Sequence, residues 1–224
     1  MAITQSTAAD LGDYSAEVEN NEAARGNLVP RLAGVVRTLQ SETNAAFCTA
    51  QAQINVPLMS GILAAGTPMA AWADNASSNP GITLTNSEAY GIRWNNNATQ
   101  TAVWFGVAMP QDLDDAAPVV LHALVSKSGA TSGDSTTLTV TAFFQTAAAL
   151  HDADADCGGT SSAVNGAAAA KTVTELTLSI AAADVPPAPC HLSFSIKPTD
   201  GTLGTDDFMV HALWLEYTRA ALTS

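Results

Sequence analysis

The densest group of side chains able to do chemistry is His151-Asp152-Ala153-Asp154-Ala155-Asp156-Cys157-Gly158-Gly159. Three carboxylates at alternate positions match the opening of a calcium loop, because a hard cation collects several oxygen ligands. The match stops there. Such a loop needs glycine at its sixth position and glutamate at its twelfth, where this chain has Cys157 and Ala163. A solvated acidic connection is the preferred reading. Asp112, Asp114 and Asp115 make a second acidic turn, framed by Pro110 and Pro118. Paired carboxylates work as acid and base only when the fold sets them across a substrate cleft, and nothing in the sequence does so.

His122, His191 and His211 fall in runs of β character. Inward-facing histidines build metal sites in small β-barrels, so a cupin-like metalloenzyme is the enzymatic reading they allow. Against it, there is no His-x-His pair, and His191 lies on the polar parity of its run. His122 and His211 meet only if their strands are neighbours. Burial against a backbone carbonyl or a hydroxyl is the preferred state of these rings. No Gly-x-Ser-x-Gly elbow, P-loop or Gly-x-Gly-x-x-Gly occurs, which closes the common routes to hydrolase, NTPase and dinucleotide chemistry. The expectation is a protein that is not an enzyme, with no catalytic, cofactor-binding or metal-binding residue to name. Trp72, Trp94, Trp104 and Trp214 would stack on sugars if exposed. Trp104 and Trp214 sit in the most apolar runs and read as core, leaving Trp72 and Trp94 as candidates.

Composition narrows the partners. The formal charge of −13, with eight Lys and Arg scattered singly, offers no basic stripe for phosphates or an anionic bilayer. Neither nucleic acid nor a membrane is expected as a direct partner. Cys48, Cys157 and Cys190 are odd in number and widely spaced, without a Cys-x-x-Cys pair, and read as reduced thiols. The opening MAITQSTAADLGDYSAEVEN has neither a basic nor an apolar leader region, so assembly in the cytosol is the expectation.

The elements that must position these residues change character along the chain. Residues 1–27 are polar and acidic, an extended arm that cannot fold on its own burial. Residues 28–80 read as a base. In it, Leu32, Val35, Val36, Leu39, Thr43, Ala46 and Phe47 give a helical stripe over residues 31–47, and residues 54–72 form an apolar connector broken by Pro57, Gly61, Gly66 and Pro68. Residues 81–224 carry eight β-type runs: 82–86, 89–95, 101–109, 118–126, 136–146, 172–180, 191–196 and 208–218. Their spacing, with no helix of crossover length between them, predicts a mainly β fold, an eight-stranded jelly-roll-like β-sandwich. In the last run, DDFMVHALWLEYTR, both parities are largely apolar, which predicts a strand covered on both faces.

Four phrases of the β region carry a family likeness: IRWNNNATQT, MPQDLDDAAPVVLHALVSKSGAT, ALHDADADCGGTSSA and KPTDGTLGTDDFMVHALWLEYTR. Together, over roughly residues 81–219, the chain resembles surface proteins of tailed-bacteriophage virions. The resemblance implies a structural virion protein, a capsid decoration or cement protein, assembled in the host cytoplasm and held to the major capsid protein or other virion proteins. The arm and base would make the grip. A homotrimer suits the local three-fold positions of an icosahedral shell. The alternative is a receptor- or glycan-binding module of a phage fibre. The likeness supplies no site residue.

Overall fold

The computed structural model describes Val36 and residues 51–73, 78–85, 89–147, 155–164 and 169–220. The chain divides into two units, Gln51–Ala220 and the segments Met1–Ala50 with Ala221–Ser224. Val36 is helical, and the rest of the helix expected over residues 31–47 lies outside the described residues, as does the arm of residues 1–27.

Gln51–Ala220 is a sandwich of two antiparallel sheets. Its strands are β1 (Gln51–Val56), β2 (Ile62–Leu63), β3 (Gly81–Thr85), β4 (Ala89–Trp94), β5 (Val103–Ala108) and β6 (Val119–Lys127). They continue with β7 (Thr136–Thr146), β8 (Gly159–Val164), β9 (Thr174–Ile180), β10 (Cys190–Pro198) and β11 (Phe208–Thr218). The first sheet runs β3-β4-β11-β6-β9, with β1 beside the C-terminal half of β11, and the second runs β2-β5-β10-β7-β8. From β4 onward the chain passes repeatedly from one sheet to the other, which gives the jelly-roll-like course. All eight expected strands are present. Residues 54–72, read as a connector, instead supply the second half of β1, a short 3-10 turn (Leu58–Ser60) and β2.

The core follows from strand alternation, since successive side chains point to opposite faces. Val103, Phe105 and Val107 of β5 face Ile92 and Trp94 of β4, Leu121 and Val125 of β6 and their neighbours across the sandwich, all in one buried cluster. Phe105 and Phe194 stack at 5.4 Å between centroids. Trp94 is fully buried, its Nε1–H donating to the Thr101 carbonyl at 2.8 Å.

β11 does not follow one parity. Phe208 and Val210 point inward, the register with β6 shifts between Val210 and Ala212, and Leu213, Leu215 and Tyr217 then take the inner face. An extra residue in one strand reverses which side chains face the core beyond it. The run that looks apolar on both faces is therefore one inner face read across a bulge, not a strand buried on both sides. Met209, His211, Trp214 and Glu216 fall outside the core cluster. At the same place β4 comes close: a Cβ on Gly91 would lie 2.4 Å from the Val210 carbonyl oxygen.

One end of the sandwich is tied by buried charge. Lys127 Nζ donates to Asp206 Oδ2 at 3.1 Å, and Thr131 donates to the same carboxylate through its amide and its hydroxyl, each at 3.0 Å. Asp134 accepts the amides of Gly204, Thr205 and Asp206 at 3.1, 2.8 and 2.6 Å. Burial alone would raise the Asp134 carboxyl, but those three amides and nearby Lys127 outweigh it and hold it below the usual range. The Gly201–Asp207 loop is thereby fastened to the turn after β6.

Candidate functional site

Most of the residues singled out by type have structural partners. His151, Asp152 and Asp154 lie outside the described residues; Asp156 accepts the amides of Ala142 and Gly158 at 2.9 and 2.8 Å. Among the described residues no group of three His, Cys, Asp or Glu is placed to hold a metal ion. Asp112 accepts from Tyr217 Oη at 3.2 Å and pairs with Arg219, while Asp114 caps the Ala116 amide. This acidic turn closes the connection between β5 and β6.

The histidines separate. β6 and β11 are neighbours, yet His122 stands opposite Trp214, so His122 and His211 do not meet. His211 Nε2 lies 2.7 Å from the Ser126 hydroxyl and its Nδ1 lies 3.4 Å from the Tyr90 carbonyl. Burial lowers its affinity for a proton, against the pull of that carbonyl, so the ring is held neutral more firmly than a free one. Cys157 Sγ donates to the Ala142 carbonyl at 3.2 Å beside a hollow of about 200 Å³ lined by Phe144, Thr146, Ala155, Asp184 and Pro186. Burial, then Asp184 and Asp156, push its thiol up to about 11, which leaves it a poor nucleophile at neutral pH.

The tryptophans are redistributed. Trp94, a candidate for exposure, is core; Trp72 is half-buried, with the Arg93 guanidinium 3.8 Å above its ring. Arg93 is itself paired with Asp207, so this ring is already in use. Trp104 and Trp214, both read as core, lie on outer sheet faces instead. On the first sheet the His122 ring stacks on Trp214 at 4.9 Å and 10°, and Glu175 Oε1 lies 2.5 Å from His122 Nδ1.

The outer face of the second sheet is different. Cross-strand register sets three rungs on it: Ile62–Trp104–Ser195–Thr141, then Gly106–Ser193–Phe143, then Ala108–His191–Gln145. Trp104 on β5 and Phe143 on β7 flank β10, their rings within 9° of parallel and 6.3 Å apart between centroids. Ser195 points to this face yet is only 4% exposed, as expected if the two rings lean over it from either side. Ile62 extends the apolar area on one edge at 43% exposure, and the opposite direction is floored by the exposed Gly106 and Ala108. Thr141, Ser193, His191, Gln145 and Lys197 surround it with hydroxyl, imidazole, amide and ammonium groups. Lys197 Nζ is bound to Asp200 Oδ2 at 2.6 Å.

The pattern was present in the strands. Val103, Phe105 and Val107 already make a complete inner parity for β5, so Trp104 falls on the face shared with Gly106 and Ala108. In β7, Phe143 interrupts a face otherwise made of Thr137, Thr139, Thr141 and Gln145. An aromatic residue on a polar parity is the signal for such a surface.

The sandwich is thus a two-sheet, jelly-roll-like β module with an aromatic outer face. No family model and no curated protein matches the chain. Among solved structures it is similar to a xylan-binding module, CBM15, at 18% identity and a TM-score of 0.48, over 77% of this chain and 100% of that one. It is similar to the CBM22-1 xylan-binding domain from Paenibacillus barcinonensis Xyn10C at 9% identity and 0.38, over 63% and 82%. CBM35 from Cellvibrio japonicus Abf62 follows at 10% and 0.33, over 77% and 99%. All three scores lie below 0.5.

Proposed function

We propose that the Gln51–Ala220 sandwich is a non-catalytic glycan-binding module whose ligand lies on the outer face of the second sheet. The observation that carries this reading is the Trp104–Phe143 pair, near-parallel on a sheet face and ringed by hydroxyl and amide side chains. A sugar ring has one C–H-lined face and a rim of hydroxyls. Aromatic faces attract the polarised C–H groups, and neutral donors and acceptors at the margin satisfy the rim. Core packing does not explain these rings, because both lie outside the buried cluster between the sheets.

Trp104→Ala and Phe143→Ala test the proposal in the full-length protein. Bound to a glycan found by array, each variant is expected to lose about tenfold in affinity, or ~1.4 kcal/mol, the size of one aromatic stacking contact. Strand circular dichroism should remain, since neither side chain belongs to the core cluster. Unchanged glycan affinity in both variants would refute the site.

The setting we propose, a tailed-phage virion, is supported by the sequence phrases quoted above. Capsid decoration by a homotrimer, held through residues 1–27 and a base of residues 28–80, is the second reading. Less of that base is free to grip a shell than the sequence implied, since residues 51–63 contribute β1 and β2 to the sandwich. Imaging labelled particles distinguishes the two: capsid-wide density without glycan binding favours decoration, and fibre-tip density with Trp104-dependent binding favours the module.

A further inference from the structure

Resting on that reading, we infer that the ligand is a neutral glycan at least two sugars long, with a second subsite on the rung of Ala108, His191 and Gln145. Three features of the face lead there. The first is length. Outer residues two apart on a strand are separated by about 7 Å, so the rung of Trp104 and the rung of His191 are about 14 Å apart. A single pyranose ring on Trp104 and Phe143 leaves the last rung uncovered.

The second is the shape of that remainder. Gly106 stands on the middle rung, opposite Ser193. A Cβ built on it would lie 3.0 Å from His191 Nε2 and 3.1 Å from His191 Cε1, so the imidazole lies down against the strand only because position 106 has no side chain. The imidazole thus packs along the Gly106 backbone, with exposed Ala108 beside it on the same face. His191 Nδ1 is 3.4 Å from the Ser193 hydroxyl, while its Nε2 and the Gln145 amide have no protein partner among the described residues. Those groups supply a donor and acceptor set at the distance a second sugar would reach, and neutral hydroxyls are the groups they match.

The third is charge. Of the side chains on this face, Lys197 carries the positive charge, and Asp200 already takes it. The chain as a whole carries −13. Among the described residues of this face no free cation remains to offset the repulsion that a carboxylated or sulfated chain would meet, so the face selects against anions.

Calorimetric titration of the full-length protein with glucose, mannose, xylose, cellobiose, cellotetraose, mannotetraose, xylotetraose and tetragalacturonate tests this. At least one neutral tetrasaccharide is expected to bind tenfold or more tighter than its monosaccharide, with no binding of tetragalacturonate. Gly106→Val, which displaces the imidazole, and His191→Ala, which removes it, should each cut tetrasaccharide affinity several-fold and so shrink the preference for four sugars over one. His191→Ala keeps the test open if the valine is not tolerated in the strand. Tetragalacturonate binding that is lost in Trp104→Ala would overturn the neutral assignment but leave the glycan site standing. Equal affinity for one sugar and four, or insensitivity to both second-subsite variants, would overturn the second subsite. No binding of any probe would count against both the inference and the reading beneath it.

Discussion

Lys127→Met tests whether buried charge, rather than the apolar core alone, closes the end of the sandwich. The Lys127 and Asp206 side chains are 1% and 4% exposed, with Nζ 3.1 Å from Oδ2. Removing one member of a buried ion pair costs about 3–5 kcal/mol, because the other stays desolvated without its counter-charge. Asp206 keeps the two donors of Thr131, which places the methionine variant near the lower end, about 3 kcal/mol. For a domain of this size that corresponds to a fall in Tm of roughly 6–12 °C. Asp206→Asn should cost more, since it strips the carboxylate from Lys127 and turns an amide nitrogen toward one of the Thr131 donors. Because the two residues share one interaction, the double variant should cost less than the sum of the singles by at least about 1 kcal/mol. Urea denaturation followed by tryptophan fluorescence measures all three, with unchanged m-values expected, and raising salt should change the wild-type midpoint little because the pair is shielded from solvent ions. A Lys127→Met variant within 1 kcal/mol of wild type, or strictly additive singles, would show that the network contributes packing and nothing electrostatic.

Acidification should weaken the fold in two windows. His211 is buried with its proton affinity lowered, so below its ordinary value of 6.5 the unfolded chain takes up a proton that the folded form resists; stability is intact above that pH and declines as pH falls through it. His211→Gln should flatten the urea midpoint between pH 7.5 and 5.5, and a wild-type midpoint already flat there would refute the assignment. Asp134 and Asp200 are held below 3.8, Asp200 by Lys197 and the Gln100 amide against the opposing effect of burial, so their contributions persist above pH 4 and vanish as pH falls further. Asp134→Ala should remove much of that lower step, read by the same midpoint at pH 5 and pH 3. Gly91→Ala places a methyl 2.4 Å from the Val210 carbonyl oxygen and should lower stability by about 2 kcal/mol or more, whereas Gly133→Ala, with open space around it, should not. Equal thermal midpoints for those two variants would show that β4 relaxes freely at the bulge.

What could be read from the sequence was set by alternation. β7 and β10 carry clean inner and outer parities, and their limits were legible to within two residues. β8 was not, because GTSSAV offers few large apolar residues: Ser161 takes an inner position and its hydroxyl accepts the Leu138 amide at 2.8 Å beside a register shift. β1 has the alternation, with Ala52, Ile54 and Val56 toward the core, but its partner lies at the far end of the chain and no local pattern reveals a pairing of Gln51 with Thr218. The site was misread for a related reason. Hydrophobicity placed Trp104 and Trp214 inside, whereas position relative to the neighbouring parity places them outside. In β11 the parity itself changes at the bulge, and a bulge leaves no mark on composition.

The central place of β11 has a consequence for how the protein comes into being. This strand lies between β6 on one side and β4 and β1 on the other, and the ribosome makes it after every other strand of the described residues. Until it emerges, β4 and β6 have no common neighbour, and the first sheet exists only as separate pieces with open edges. The nascent chain must therefore wait with its inner faces wet, and any product cut short before Phe208 is a substrate for chaperones or aggregation rather than a smaller version of the same fold.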